Sequence, residues 1–223
     1  MSSASQISIV RLEDADFPTA FEVMSKSFGS DAPFINAYFP KHDTPAGQEQ
    51  GYKRLLAWKQ ASSDSTFLKA VKGDVIVGIA VWTLMTEPPP QTLEEVEGKE
   101  ELPKIWADEK DREWMTRLWK SYVVPRTKVV NDTGGRGVYV LELLAVHPGY
   151  QRLGAGKALV KWGTDAADRE GLKSIVEGTL VARRLYESCG LVAHIEEMHF
   201  DVGEGFEDRT VPKLVFLVRE PQV

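Results

Sequence analysis

The sequence predicts an α/β protein: a mixed sheet flanked by helices on both faces, with a helical insert ahead of its central strand. Three observations lead there. The run VYVLELLAV, 138–146, is apolar enough for a central strand and leads through Pro148, Gly149 and a Gly-x-Gly turn into an amphipathic helix. Two β-rich runs that read as a hairpin precede it, and two more β-rich runs close the chain.

The elements follow in order. ISIVRLE, 7–13, alternates apolar and polar residues and reads as a first strand. Asp14 or Asp16 can cap the helix after it, in which Phe17, Phe21, Met24 and Phe28 recur at helical spacing and Pro18 suits the first turn. Residues 29–45 read as a loop carrying aromatics. A second helix covers 46–64, with Tyr52, Leu55, Leu56 and Lys59 on one side. The hairpin of 65–85 turns at Lys72, Gly73 and Asp74.

From about 86 to 137 the composition changes. TEPPPQTLEEVEGKEELP, rich in proline and glutamate, predicts a solvated, mobile stretch. Residues 105–124 form an amphipathic helix with Met115, Leu118, Trp119 and Tyr122 on its apolar stripe, and NDTGGRG is a flexible connection. The central strand comes next, then a helix from about Gly154 to Glu170. Ala155, Leu159, Trp162 and Ala166 form its apolar face and Gly171 ends it. KSIVEGT is a strand, LVARRLYESCG a short helix ended by Gly190, and 191–202 and 211–220 are the last two strands. The whole, residues 1–223, reads as a single domain with that insert.

Composition narrows the function. With 43% hydrophobic residues the chain has material for a core, and its formal net charge of -6 argues against a nucleic-acid binder or an anionic-membrane binder. There is no run of 18 apolar residues, and the N-terminus has neither a basic region nor a long apolar one, so no membrane span and no secretory leader are expected. A lone cysteine, Cys189, without a CxxC pattern predicts neither an internal disulfide nor a metal site. The expected compartment is cytoplasmic, with the nucleus left open.

The glycine turn excludes two nucleotide signatures. Aligned as a Walker loop on Gly156 and Lys157, it has Gln151 in place of the first glycine and Ala158 in place of the hydroxyl residue. Aligned as a dinucleotide turn on Gly154 and Gly156, it has Leu159 at the third glycine. What remains is Gln151-Arg152-Leu153-Gly154-Ala155-Gly156 opening a helix. Helix N-termini offer unpaired N–H groups and partial positive charge, and small residues let phosphates approach the backbone.

This motif, with LAVHP before it and LYESCG after it, resembles the GNAT superfamily of acyl-CoA-dependent N-acyltransferases, most strongly over 138–192. The pattern looks most like the small fungal members. The resemblance implies a mostly antiparallel sheet and acetyl-CoA (coenzyme A) as acyl donor, with direct transfer to a bound amine. It implies that backbone amides of Arg152, Leu153, Gly154, Ala155, Gly156 and Lys157 hold the diphosphate, and that the pantetheine arm lies along Leu144, Ala145 and Val146. A bulge near Glu142 to Leu144 would splay the strand from its neighbour, and the Val146 amide or its neighbour would polarise the thioester carbonyl. Tyr186 matches the tyrosine that serves the departing thiolate. Thr179 stands where many members carry a pantetheine-contacting asparagine.

The base is sought among carboxylates. Glu142 interrupts an apolar central strand, where a charge is costly to bury, and lies two residues before Leu144, so the same face is expected. Glu177 is its rival, and either could instead pair with Arg183 or Arg184. His147 reads as a loop residue and Cys189 as packing. Phe28, Phe34, Tyr38 and Phe39 could wall an acceptor pocket, Trp82, Trp114 and Trp119 could form a lid, and Glu94, Glu95, Glu97, Glu100 and Glu101 could attract a cation. A small-molecule amine leads as acceptor, ahead of a protein N-terminus or lysine. A non-catalytic CoA sensor and a partner-binding protein are the other classes, and both monomer and homodimer remain open.

Overall fold

The computed structural model of the protein describes residues 6–100 and 105–222, and of Lys99 and Glu100 only the backbone. Glu101 of the acidic run, the Glu100 side chain and the first five residues of the expected leaderless N-terminus therefore lie outside the described residues. Seven strands form one sheet: β1 (Ile7–Arg11), β2 (Ser65–Lys72), β3 (Val75–Met85), β4 (Val138–Val146), β5 (Ser174–Thr179), β6 (Val192–Ile195) and β7 (Leu214–Arg219). Their order is β1-β2-β3-β4-β5-β7-β6, so the final strand inserts between its two predecessors. Only β4 and β5 run parallel, and they pair over Tyr139–Val140 against Ser174–Ile175 before separating.

Helices α1 (Phe17–Phe28), α2 (Pro33–Tyr38), α3 (Pro45–Ala61), α4 (Leu93–Glu100) and α5 (Glu109–Asp132) precede β4; α6 (Ala155–Glu170) and α7 (Arg183–Glu187) follow it. Each long helix starts for a local reason. Pro18 occupies the first turn of α1, Thr44 caps α3 by accepting from the Gly47 amide, and Asp108 caps α5 by accepting from the Lys110 amide. Gly171 ends α6 in the left-handed conformation. Among the described residues no helix is long and apolar enough to cross a membrane.

Four expectations are corrected. The 29–45 segment contains α2, and Phe39 is buried with the α1 and α3 core. The acidic stretch is not simply solvated, because Leu93 and Val96 of α4 are buried against α5. α5 does not stop at Val124 but continues through Pro125 to Asp132. At the C-terminus, β6 is only Val192–Ile195, shorter than the predicted strand.

The two faces of the sheet are distinct. Ile79, Val81, Ile175, Phe216 and Val218 face the layer of α1, α3 and α5, whereas Ala80, Trp82, Val176, Val215 and Leu217 face α6 and α7. Trp82 seals the second layer: its Nε1 donates to the Leu159 carbonyl at 3.1 Å, and a Cβ at Gly163 of α6 would overlap its ring. α5 packs Met115, Leu118 and Val123 into the first layer with no exposed surface, so it is part of the core.

The expected bulge lies at Glu142. Val81 pairs with Leu143 but Trp82 pairs with Leu141, which leaves Glu142 as an extra residue in β4. One extra residue reverses the alternation of side chains beyond it. Val138 and Val140 therefore face the α5 layer before the bulge, and Leu143 and Ala145 face the α1 and α3 layer after it. Glu142 points toward α5, whereas Leu144 and Val146 pack on the α6 side. The expectation that Glu142 and Leu144 share a face fails for this reason.

Candidate active site

α6 begins where the sequence places it. Gly154 caps it at φ 96°, Arg152 before it stands at φ 61°, and Gln151 to Gly154 are exposed. The first intrahelical bond runs from the Ala158 amide to the Gly154 carbonyl at 2.9 Å, so the amides of Ala155, Gly156 and Lys157 precede the helix's own bonding. A Cβ at Gly154 would meet nothing within 4 Å, and one at Gly156 would come 3.0 Å from Leu185 Cδ2. Gly154 is thus required by its backbone angle and Gly156 by close packing of α6 on α7. An exposed, glycine-shaped helix start beside two diverging strands is a fitting receptacle for a long diphosphate ligand.

Leu144 and Val146 line the α6 side of β4 next to this turn, and Ala145 is buried on the opposite side. The Val146 amide donates to Ser27 Oγ of α1 at 3.2 Å, so this expected polarising donor is already engaged. Thr179 ends β5, half-buried, and its carbonyl accepts from the Ala182 amide at 3.0 Å. Tyr186 is buried on the α6 side, with its ring against Gly178 so closely that a Cβ there would overlap it. Burial pushes its phenol well above the usual range, so it is held protonated. Among the described residues its hydroxyl makes no hydrogen bond, unlike a core tyrosine tied to a carbonyl.

On the opposite face the structure brings Glu142 and Glu177 together around Arg126 of α5, a residue absent from the sequence reading. Arg126 is 1% exposed. Its Nη1 donates to both Glu142 oxygens at 2.9 and 2.8 Å, and its Nε and Nη2 donate to Glu177 at 2.9 and 2.6 Å. Nη2 also donates to the Tyr122 hydroxyl at 3.0 Å. Burial, followed by the neighbouring carboxylates, governs the guanidinium, whose pKa ends well above its ordinary value. Burial raises the Glu142 carboxyl above the usual carboxylate range; Arg126 opposes this and Glu177 adds to it. The Glu177 side chain is fully sealed, whereas that of Glu142 is 13% exposed.

The remaining exposure of Glu142 opens into a cleft of about 450 Å³ lined by Phe34, Tyr38, Trp119, Tyr122 and Arg126 among others. Of the four aromatics expected to wall an acceptor pocket, Phe34, Tyr38 and Phe39 line this cleft and Phe28 does not. Trp119 reaches it and donates from Nε1 to the Pro90 carbonyl at 2.9 Å, but Trp82 lies under α6 and Trp114 packs on Phe206, so neither belongs to a lid. α2 is fixed from behind: Asn36 Oδ1 lies 2.9 Å from His42 Nε2, and His42 Nδ1 lies 2.8 Å from Ser25 Oγ. Burial lowers the His42 pKa, which keeps that link uncharged at neutral pH.

The other expected residues have structural partners. Arg183 pairs with Glu187 and Glu196, so it is not the partner of either catalytic candidate. His147 Nδ1 accepts from the Gly149 amide at 3.1 Å and shapes the turn. Burial raises the Cys189 thiol, the wrong direction for a nucleophile. Glu94 and Glu97 pair with Arg112, and Glu95 accepts from the Gln91 amide.

A model of the acetyltransferase (GNAT) family matches residues 32–191. No curated protein matches the chain in sequence. Among solved structures, mosquito arylalkylamine N-acetyltransferase like 5b superposes with a TM-score of 0.66 at 15% identity, over 96% of this chain and all (100%) of that one. An agmatine N-acetyltransferase reaches 0.58 at 16% identity over 96% and 99%. YncA of Salmonella typhimurium, solved with its cofactor acetyl-CoA, reaches 0.54 at 14% identity over 98% and 96%. At these identities the likeness is one of fold.

Proposed function

The chain belongs to the GNAT family of acetyltransferases, and from that premise we propose that it transfers an acetyl group from acetyl-CoA to the amine of a small molecule. The observation that carries this reading is Glu142: a buried carboxylate at a strand bulge, open only to an aromatic cleft, beside the point where β4 and β5 part.

The amides at the start of α6 would hold the diphosphate and the side of β4 bearing Leu144 and Val146 would hold the pantetheine arm. Bound acetyl-CoA supplies a thioester, whose carbonyl carbon is the electrophile. The incoming amine must lose a proton to attack, and Glu142 is the acceptor of that proton on the cleft side. Tyr186, on the other side of the sheet, donates to the sulfur. The bulge thus separates base and acid onto opposite faces. Polarising the carbonyl falls to a β4 amide, and that of Val146 has first to release the Ser27 hydroxyl. The bulge and Arg126 favour an enzyme over a sensor, since a binding module has no need of a carboxylate buried beside a guanidinium at the end of a cleft.

The direct test is a thermal melt with and without acetyl-CoA. A ligand at a hundred times its Kd stabilises the native state by about 2.7 kcal/mol, which for a chain of this size raises Tm by about 5–10 °C. The same shift with CoA and none with ATP or NAD is expected. Absence of a shift with folded protein would remove the acyl donor and every role built on it. Tyr186→Phe is expected to lower kcat by about tenfold with acetyl-CoA Kd unchanged, as thiolates leave without much assistance. A wild-type kcat in this variant, measured by thiol release, would return Tyr186 to the core.

A further inference from the structure

We infer that the acceptor is a primary amine on an aromatic or other flat apolar body that carries no carboxylate, because the cation lining the cleft is already held by two carboxylates and a tyrosine. The inference rests on the transfer reaction proposed above and concerns which amines that reaction takes.

An amino-acid acceptor needs a cation or free donors for its carboxylate, and arginine is the usual residue for that task. Arg126 is the basic residue among those lining the cleft. A guanidinium has five N–H donors in a fixed fork. Here they meet Glu142 twice, Glu177 twice and Tyr122 once, all within 3.0 Å. No nitrogen of the guanidinium is without a protein partner, and an incoming anion would have to displace Glu142, Glu177 or Tyr122 from it. The buried group also carries two carboxylates against one guanidinium, a surplus of negative charge, and the exposed Asp64 and Glu87 line the same cleft. A single ammonium is attracted to this floor, and a carboxylate one carbon away from it is repelled.

The walls select the body. Phe34 and Tyr122 lie 4.4 Å apart between ring centroids, and Tyr38 and Trp119 lie 6.1 Å apart and nearly parallel at 24°. These rings pack on one another into an aromatic wall along one side of the cleft, against which a flat apolar group is buried, while Asp64 and Glu87 lie elsewhere in the lining. α2, which carries Phe34 and Tyr38, is pinned through Asn36 and His42 to α1, so the wall is set before the acceptor arrives.

The experiment compares 2-phenylethylamine, phenylalaninamide and phenylalanine with the full-length protein saturated with acetyl-CoA for transfer and with CoA for binding. Transfer is followed by thiol release and binding by the change in tryptophan fluorescence, to which Trp58 and Trp119 of the cleft contribute. The first two amines are expected to be acetylated, and phenylalanine to show kcat/KM lower by at least about a hundredfold, the scale of a like-charge contact. The amide separates the carboxylate from the mere bulk of an α-substituent. In Glu87→Lys, an exposed position, the discrimination is expected to narrow severalfold. Phenylalanine within threefold of the amide, in transfer or in binding, would overturn the carboxylate rule. Spermidine preferred to 2-phenylethylamine would overturn the apolar body. Absence of transfer to any amine, with acetyl-CoA bound, would instead sink the proposed reaction, while the binding comparison would still decide which amines the cleft accepts.

Discussion

Replacing Glu142 with glutamine is expected to lower kcat by at least about a hundredfold, the usual worth of a positioned base, while the Kd for acetyl-CoA stays the same. The expectation follows from the reversed alternation of β4. Glu142 faces the cleft and α5, whereas Leu144 and Val146, where the acyl donor is proposed to lie, pack on the other side. Glutamine keeps the volume and leaves Arg126 and Glu177 as a neutral pair, so folding should survive the change. The pH dependence is a second readout. Burial lifts the Glu142 carboxyl above its ordinary 4.5 although Arg126 pulls it back. Transfer needs the carboxylate, so kcat/KM should rise with pH through that elevated value, and this limb should be missing in Glu142→Gln. Equal losses in kcat and in acetyl-CoA affinity would mean that the residue only holds β4 in place.

The proposed acyl-donor side of this site is legible in the sequence, and the proposed acceptor side only partly so. Gln151 to Gly156 announce themselves because a left-handed helix cap and an unobstructed helix start demand small residues at fixed spacing. Glu142 is legible because a carboxylate in an apolar strand needs a reason. Its partner was missed for a physical reason. Proline normally ends a helical pattern, since it removes an N–H and crowds the preceding turn, so the sequence pattern supports α5 only to Val124. Past Pro125 the stripe of Met115, Leu118, Trp119 and Tyr122 continues to Arg126, one turn beyond Tyr122. A charged residue on the continuation of an apolar stripe was the available signal. The bulge itself was foreseen, but not that an extra residue turns every later side chain to the other face. Leu93 and Val96 were hidden among glutamates, where two apolar residues three apart are a faint pattern.

Arg126→Met is expected to destabilise the protein by about 3–5 kcal/mol, the range seen when one partner of a buried pair is removed, and so to lower Tm by about 6–20 °C. The loss is larger than that of any contact Arg126 makes, because two buried carboxylates, 0% and 13% exposed, remain behind without the guanidinium that pairs with both. The Glu142 pKa, already raised by burial and no longer drawn down by Arg126, must then lie further above that of the unfolded chain. Such a group costs stability at high pH, and that cost falls as pH drops through the raised folded value, vanishing below the unfolded one near 4.3. The deficit of Arg126→Met relative to wild type should therefore be greatest at neutral or alkaline pH and shrink on acidification. A purely steric loss would be independent of pH. The double variant Arg126→Met with Glu177→Leu removes the sealed charge together with its partner, and should recover a large part of the stability, since apolar replacements of buried ion pairs are often neutral or better. It should not recover the pH optimum, because Glu142 then titrates without the guanidinium that keeps it ionised. Chemical denaturation across pH, with the pH–rate profile of the double variant, checks both halves. Recovered stability with a wild-type acid limb would show that Arg126 holds α5 to the sheet and has no part in setting the base.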